Sequence, residues 1–147
     1  MKKISLIISI ALLAISFVSC KKNGCTDPDA LNFEDKVKSN NLLCLYEGSV
    51  TFWYDAIKED SLRKLYGIKS LEYYVNKIRI DSLPFSNANA QEKAPRCGKS
   101  EIASFTDSLG AGYKKWIQYD IRTETGLVLY DSFVELTANQ CLKIRLD

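Results

Sequence analysis

Five cysteines and no histidine bound the chemistry open to this chain of 147 residues. Without histidine, Ser-His-Asp and Cys-His catalysis are excluded and the commonest zinc ligand is missing. Cys20, Cys25, Cys44, Cys97 and Cys141 include no CxxC spacing, which argues against a sulfur-ligated metal. What remains is carboxylate chemistry, with Asp120, Asp131 and Glu135 as candidates on expected strands, in polar phase with their neighbours. Solvent-facing strand carboxylates account for the same residues equally well. The chain also lacks a motif, or the length to build a deep cleft. The reading is therefore non-catalytic, with no cofactor and no metal.

The amino terminus places the first cysteine apart from the rest. Met1, Lys2 and Lys3 form a positive head, and Ile4 to Val18 is an apolar run of 15 residues broken only by Ser5, Ser9 and Ser16. That run is too short to span a bilayer and has signal-peptide anatomy. Phe17, Val18, Ser19 and Cys20, with a small residue directly before the cysteine, resemble the lipobox of bacterial lipoproteins. The resemblance implies cleavage after residue 19, acylation of Cys20, and a cell-envelope location, with the outer membrane as the expected host. Several acyl chains at roughly 0.8 kcal/mol per buried methylene make such an anchor long-lived. Removing residues 1–19 takes away two lysines, leaving 18 basic and 18 acidic residues in a chain of 128. No basic block survives that could track a phosphate backbone, so a nucleic-acid partner is not expected.

With Cys20 lipidated, four cysteines remain in an oxidising compartment, where they read as a disulfide framework with three connectivities. We choose Cys25 with Cys44, inside a short polar segment, and Cys97 with Cys141, joining the middle of the strand-rich region to its last strand. Residues 24 to 46, GCTDPDALNFEDKVKSNNLLCLY, resemble a cysteine-bounded motif of secreted and surface proteins of Bacteroidetes-type bacteria. Gly24, Cys25, Thr26, Asp27, Pro28, Ala30, Asn32, Phe33, Cys44 and Tyr46 carry the match. Asn40, Asn41, Leu42 and Leu43 stand where that motif has an acidic pair, glycine and serine. Without those oxygens Asp27, Asp29, Glu34 and Asp35 fall short of a calcium shell. Asp27 and Asp29 read instead as turn and cap residues around Pro28. The division expected is 1–19 signal peptide, 20–47 lipid anchor and cysteine-bounded spacer holding the domain off the bilayer, and 48–147 the folded domain.

From Gly48 onward the periodicity is two. SVTFWYD (49–55), LEYYV (71–75), KIRID (77–81), EIASF (101–105), GYKKWIQYDIR (112–122), LVLYDSFVEL (127–136) and CLKIRL (141–146) read as strands. Asn76 and TETG (123–126) read as turns, and 84–96 as a loop. DSLRKLYG (60–67) is the one helical candidate, with Asp60 as cap and Gly67 as stop. About seven strands with polar turns predict an all-β, disulfide-braced antiparallel β-sandwich. Gly-x-Val-Thr-Phe-Trp at 48–53, Pro-x-Cys-Gly at 95–98, Gly112-Tyr113 and the terminal Cys-Leu-x-Ile-x-Leu resemble a lipoprotein domain of the same bacteria. That domain is similar to transthyretin (prealbumin)-like, carboxypeptidase-regulatory-like or Ig-like sandwiches. The resemblance implies a non-enzymatic module, and the insertion at 55–70 is not part of its pattern.

Trp53, Tyr73, Tyr74, Trp116 and Tyr130 offer rings for a binding platform, with Trp53, Tyr73 and Trp116 as the named ligand candidates. Sandwich interiors take aromatics readily, so most of these rings are expected in the core. A patch exists only if several outward rings fall on one sheet. The function expected is an envelope module that binds an envelope protein or a glycan. The alternative is a carbohydrate-active enzyme, or an accessory sugar-binding module, using the strand carboxylates and aromatics.

Overall fold

The computed structural model describes residues 22–86 and 90–147. Cys20 and the apolar run lie outside the described residues. Among the described residues nine strands and one α-helix follow in the order β1 (Asn23–Gly24), β2 (Lys38–Ser39), β3 (Tyr46–Trp53), α1 (Ala56–Tyr66), β4 (Ser70–Val75), β5 (Ile78–Pro84), β6 (Ser104–Gly110), β7 (Lys114–Thr123), β8 (Val128–Thr137) and β9 (Cys141–Arg145). Seven of the strands build two facing sheets, ordered β6-β3-β9 and β5-β4-β7-β8. The fold is a disulfide-braced β-sandwich. All its pairings are antiparallel except β3 with β9, which run parallel.

Alternation decides what each strand buries, because successive side chains point to opposite faces. Leu71, Tyr73 and Val75 of β4 and Ile117, Tyr119 and Ile121 of β7 face Val50, Phe52 and Tyr54 from the other sheet. Phe52 meets the rings of Tyr73 and Tyr119 at 5.8 and 5.0 Å between centroids. Each fully buried side chain of this size contributes about 1.5–3 kcal/mol by transfer from water. Gly48 lets the sheets close on one another. A Cβ there would stand 3.0 Å from both the Leu136 Cβ and the Thr137 carbonyl oxygen, so any side chain would push β3 away from β8.

Local chemistry fixes the connections. Asn76 and Lys77, both at positive φ (50° and 68°), form the two-residue turn between β4 and β5, the geometry that matches strand twist. The Asn76 backbone N–H donates to the Gln118 carbonyl at 2.8 Å, and the Asn76 carboxamide oxygen accepts from the Gln118 N–H at 3.1 Å, which ties this hairpin to β7. Helix α1 is longer than the sequence suggests, and its cap is Asp55 rather than Asp60. The Asp55 carboxylate accepts from the Lys58 N–H at 2.8 Å. Asp60 instead pairs with Lys64 one turn on, at 2.7 Å. Gly67 ends the helix at φ 67°, in the left-handed conformation glycine adopts most readily. A second correction concerns EIASF (101–105). The strand there is Ser104–Gly110, because its register against β3 is set by hydroxyl pairs rather than by Ile102, which lies buried before it.

Cys25 is bonded to Cys44 and Cys97 to Cys141. The closed loops span 19 and 44 residues of sequence separation, which chain entropy converts to about 3 and 4 kcal/mol. The cysteine-bounded segment does not stand off as a spacer but docks on the sandwich. The Asp27 carboxylate accepts from the hydroxyls of Tyr46 at 2.5 Å and Tyr113 at 2.7 Å, and its other oxygen accepts from the Asp29 N–H at 3.0 Å. Asn139 donates to the Asp29 carbonyl at 2.7 Å. The Tyr46 hydroxyl, helped by Tyr113 and the Asp29 N–H, holds the Asp27 carboxyl below its ordinary value, and the same contact raises Tyr46. Tyr46 opens β3, so its position alternates into the sandwich while its hydroxyl reaches the stapled segment.

Candidate functional site

Among the described residues three surface hollows are open enough to receive something; one, of about 380 Å³ between the ends of β8 and β9, is lined by Glu135, Thr137, Gln140, Cys141, Leu142 and Lys143, and the other two differ in kind. One is a cleft of about 500 Å³ between α1 and the β7–β8 turn, floored by Leu62, Ile68 and Leu129. Lys58 lies 5.7 Å from the centre of the Tyr130 ring there, and the Tyr130 hydroxyl donates to the Asp147 carbonyl at 2.9 Å. One carboxylate lining this cleft, Glu124, is held below its ordinary value by its own backbone N–H first and then by the Ser70 and Lys69 N–H groups, at 3.2 to 3.3 Å. The second carboxylate lining the cleft is Asp147.

The other surface is the outer face of the four-stranded sheet. Once Ile117, Tyr119 and Ile121 point inward, the period of two sends Trp116, Gln118, Asp120 and Arg122 outward. Register then lines up their neighbours: Glu135 opposite Trp116, Phe133 opposite Gln118, Asp131 opposite Asp120, and Tyr74 opposite Asp120 on the other side. Trp116 is 64 % and Phe133 63 % exposed. They stand one strand apart and two residues out of register, within the diagonal reach of large side chains on one sheet face.

The polar groups on this face hold one another. Gln118 donates its amide to Asp131 at 3.1 Å, Lys114 bonds Glu135 at 2.5 Å, and Asp120, only 6 % exposed, is paired with Arg122. The Arg122 guanidinium lies 4.3 Å from the centre of the Tyr74 ring. The Tyr74 hydroxyl donates to Glu72 at 2.8 Å, which raises its own pKa, and Arg79 donates to the other Glu72 oxygen at 3.1 Å. Lys77, Gln118, Asp120, Arg122, Val128 and Asp131 line a shallow trough of about 340 Å³ along the middle of the face. Lys77, Arg79, Lys114 and Arg122 are matched by Glu72, Asp120, Asp131 and Glu135, so the face carries no net charge.

The expected ligand residues separate. Trp116 is on this face. Tyr73 is not a surface residue at all: at 1 % exposure it is core, because its phase on β4 is that of Leu71 and Val75. Trp53 is half-buried on the other sheet, with Arg145 5.4 Å from its ring centre. Tyr74 joins Trp116, whereas Tyr130 belongs to the cleft. All three candidate carboxylates, Asp120, Asp131 and Glu135, lie on the face with Trp116, each already partnered. Phe133, Arg122 and Gln118 complete it. Phe133 was legible only through phase, since LVLYDSFVEL alternates Asp131, Phe133 and Glu135 on one side. Among the described residues, no group of three or more Cys, Asp or Glu is placed to hold a metal ion. Comparison with protein-family models, with curated proteins and with solved structures finds no match for this chain.

Proposed function

We propose that the protein is a lipid-anchored module of the bacterial cell envelope that binds its ligand without transforming it. The membrane is reached through lipid on Cys20, and the ligand through the outer face of the four-stranded sheet. The observation that carries this reading is the coincidence of two exposed rings, Trp116 and Phe133, with a pre-paired polar array on one sheet face. Rigid aromatic side chains supply contact area at low entropic cost, and polar groups already fixed by neighbours lose little further freedom on binding. The disulfides fit an oxidising compartment.

Asp120 and Asp131 oppose each other as two hydrolytic carboxylates would. Binding is nevertheless the better reading, because Arg122 holds Asp120, Gln118 holds Asp131, and the trough is too shallow to exclude water from a reacting bond. The test is fractionation and capture from intact cells. Cys20→Ala should release the protein from membranes, and Trp116→Ala with Phe133→Ala should abolish retention of its envelope partner while leaving the anchor in place. Unchanged detergent partitioning of the Cys20 variant would sink the lipoprotein reading. Unchanged retention by the ring variant would sink the face.

A further inference from the structure

We propose that the ligand of this face is a neutral, extended polysaccharide. This rests on the reading of the face as the binding surface and adds its chemical class. The first ground is charge. Four basic and four acidic side chains cancel: Arg79 pairs with Glu72 and Lys114 with Glu135 across neighbouring strands, Arg122 pairs with Asp120 two residues away on β7, and the Gln118 amide holds Asp131. Polyanions such as nucleic acid or an acidic lipid surface need an uncompensated basic patch, which this face does not provide. A strongly charged protein partner likewise finds no field to match.

The second ground is the kind of groups presented. Trp116 and Phe133 offer π faces whose negative quadrupole suits the weakly positive C–H faces of pyranose rings. Between and beyond them stand carboxamide, carboxylate and guanidinium groups, planar donors and acceptors that bind vicinal hydroxyls in pairs. Asp131 and Glu135 accept, while Gln118 and Arg122 donate, so both senses of a sugar hydroxyl are served.

The third ground is shape. The trough is shallow and open, and the polar and aromatic features continue on the face beyond it. Trp116 and Tyr74 are separated by four residues along β7 and one strand across, about 14 Å at ordinary strand dimensions. Such a track suits several consecutive sugar rings of a chain. A small molecule would be left mostly in water, against the usual burial of small ligands in closed pockets.

The experiment uses the full chain purified in detergent. It is titrated with soluble glucan, xylan, mannan and N-acetylglucosamine oligosaccharides, with heparin as the polyanion. The two tryptophans make the binding visible. In a Trp53→Phe background Trp116 is the sole indole, and stacking on a sugar should shift its emission to the blue and shield it from quenchers. A neutral oligosaccharide should bind with an affinity insensitive to salt, and Trp116→Ala should weaken it at least tenfold. Phe133→Ala serves as the second variant where Trp116→Ala is poorly folded, and should also weaken binding. The proposal is overturned by binding to heparin alone, by no neutral glycan binding, or by glycan binding that both ring variants retain. Loss of a protein partner in Trp116→Ala, with every glycan inert, would refute the polysaccharide and leave the face standing.

Discussion

The two sheets of this sandwich turn opposite kinds of side chain to solvent. On the three-stranded sheet Ser49 and Thr51 of β3 and Ser104 and Thr106 of β6 are small outward hydroxyls that consume one another, while Glu47 in the same phase stays exposed. Ser49 meets Thr106 at 2.9 Å, and Thr51 meets Ser104 at 2.9 Å and the Ala103 carbonyl at 3.2 Å. Thr51 is wholly buried although its phase on β3 is opposite to that of Val50 and Phe52. Its one large ring, Trp53, sits beside Arg145, and the Cys97–Cys141 bridge fastens the far edge. On the four-stranded sheet the same alternation presents long, planar and aromatic groups, paired sideways but uncovered outward. The difference teaches that outward strand positions do not share one role: short donors and acceptors close a face, whereas long partnered ones keep it available.

The strongest way to break that comparison is to unfasten the closed face. Replacing Cys97 and Cys141 by serine should cost about 4 kcal/mol in denaturant titration, from the loop that the bridge closes. Well below its lowered melting point the variant should still bind through Trp116, because the bridge lies on the other sheet. Loss of binding in a folded variant would show that the two faces are coupled. Gly48→Ala should destabilise by about 1–3 kcal/mol, since the new methyl meets the Leu136 side chain and the Thr137 backbone oxygen. An unchanged melting temperature would mean that the sheets can part locally at little cost.

The comparison is sharpest in a pair of variants. Thr51→Val should cost about 1 kcal/mol, by removing the hydroxyl's bonds to the Ala103 carbonyl, which keeps the Phe52 N–H, and to the Ser104 hydroxyl, which keeps the Ile102 carbonyl and Gly98 N–H, and should leave ligand affinity untouched. Trp116→Ala should change stability by less than about 0.5 kcal/mol and affinity by at least a factor of ten, about 1.4 kcal/mol of binding. If both variants lower both quantities together, the division between a closed and an open face fails.

The smallest effect expected is on acid stability, and it sets the docked segment against the cleft rim. Asp27, held down first by the Tyr46 hydroxyl, Asp55, held down first by the Lys58 N–H, and Glu124 all have folded pKa values below their ordinary ones of 3.8, 3.8 and 4.5. Groups depressed in this way stabilise the fold above their unfolded pKa. That contribution fades as pH falls through the folded value, so stability should drop below about pH 4. Asp27→Asn should flatten the part of this slope that belongs to the cysteine-bounded segment. Hydrogen exchange of residues 22–45 should report the loosening, with the β4–β7 core unaffected.

Sequence alone determined the period-two strands β3, β4, β7 and β9, the turns at Asn76 and Thr123–Gly126, and the helix stop at Gly67. Each follows from local chemistry: side-chain phase and positive-φ residues. For the four cysteines it left three connectivities, of which the structure has Cys25–Cys44 with Cys97–Cys141. It also placed Asp120 and Gln118 together on a polar face. Tertiary structure alone decided which rings share a sheet, because phase says inward or outward but not against which strand. Tyr73 and Tyr74 are neighbours in the chain and opposite in fate, and Trp53 and Trp116 are both on strands yet lie on different sheets. The start of β6 was also illegible, since Ser104 and Thr106 become strand only through hydroxyl partners on β3. So was the meeting of Tyr46 and Tyr113 on Asp27, which joins positions 19 and 86 residues apart. Contacts of that range depend on register and sheet closure, quantities that no local pattern carries.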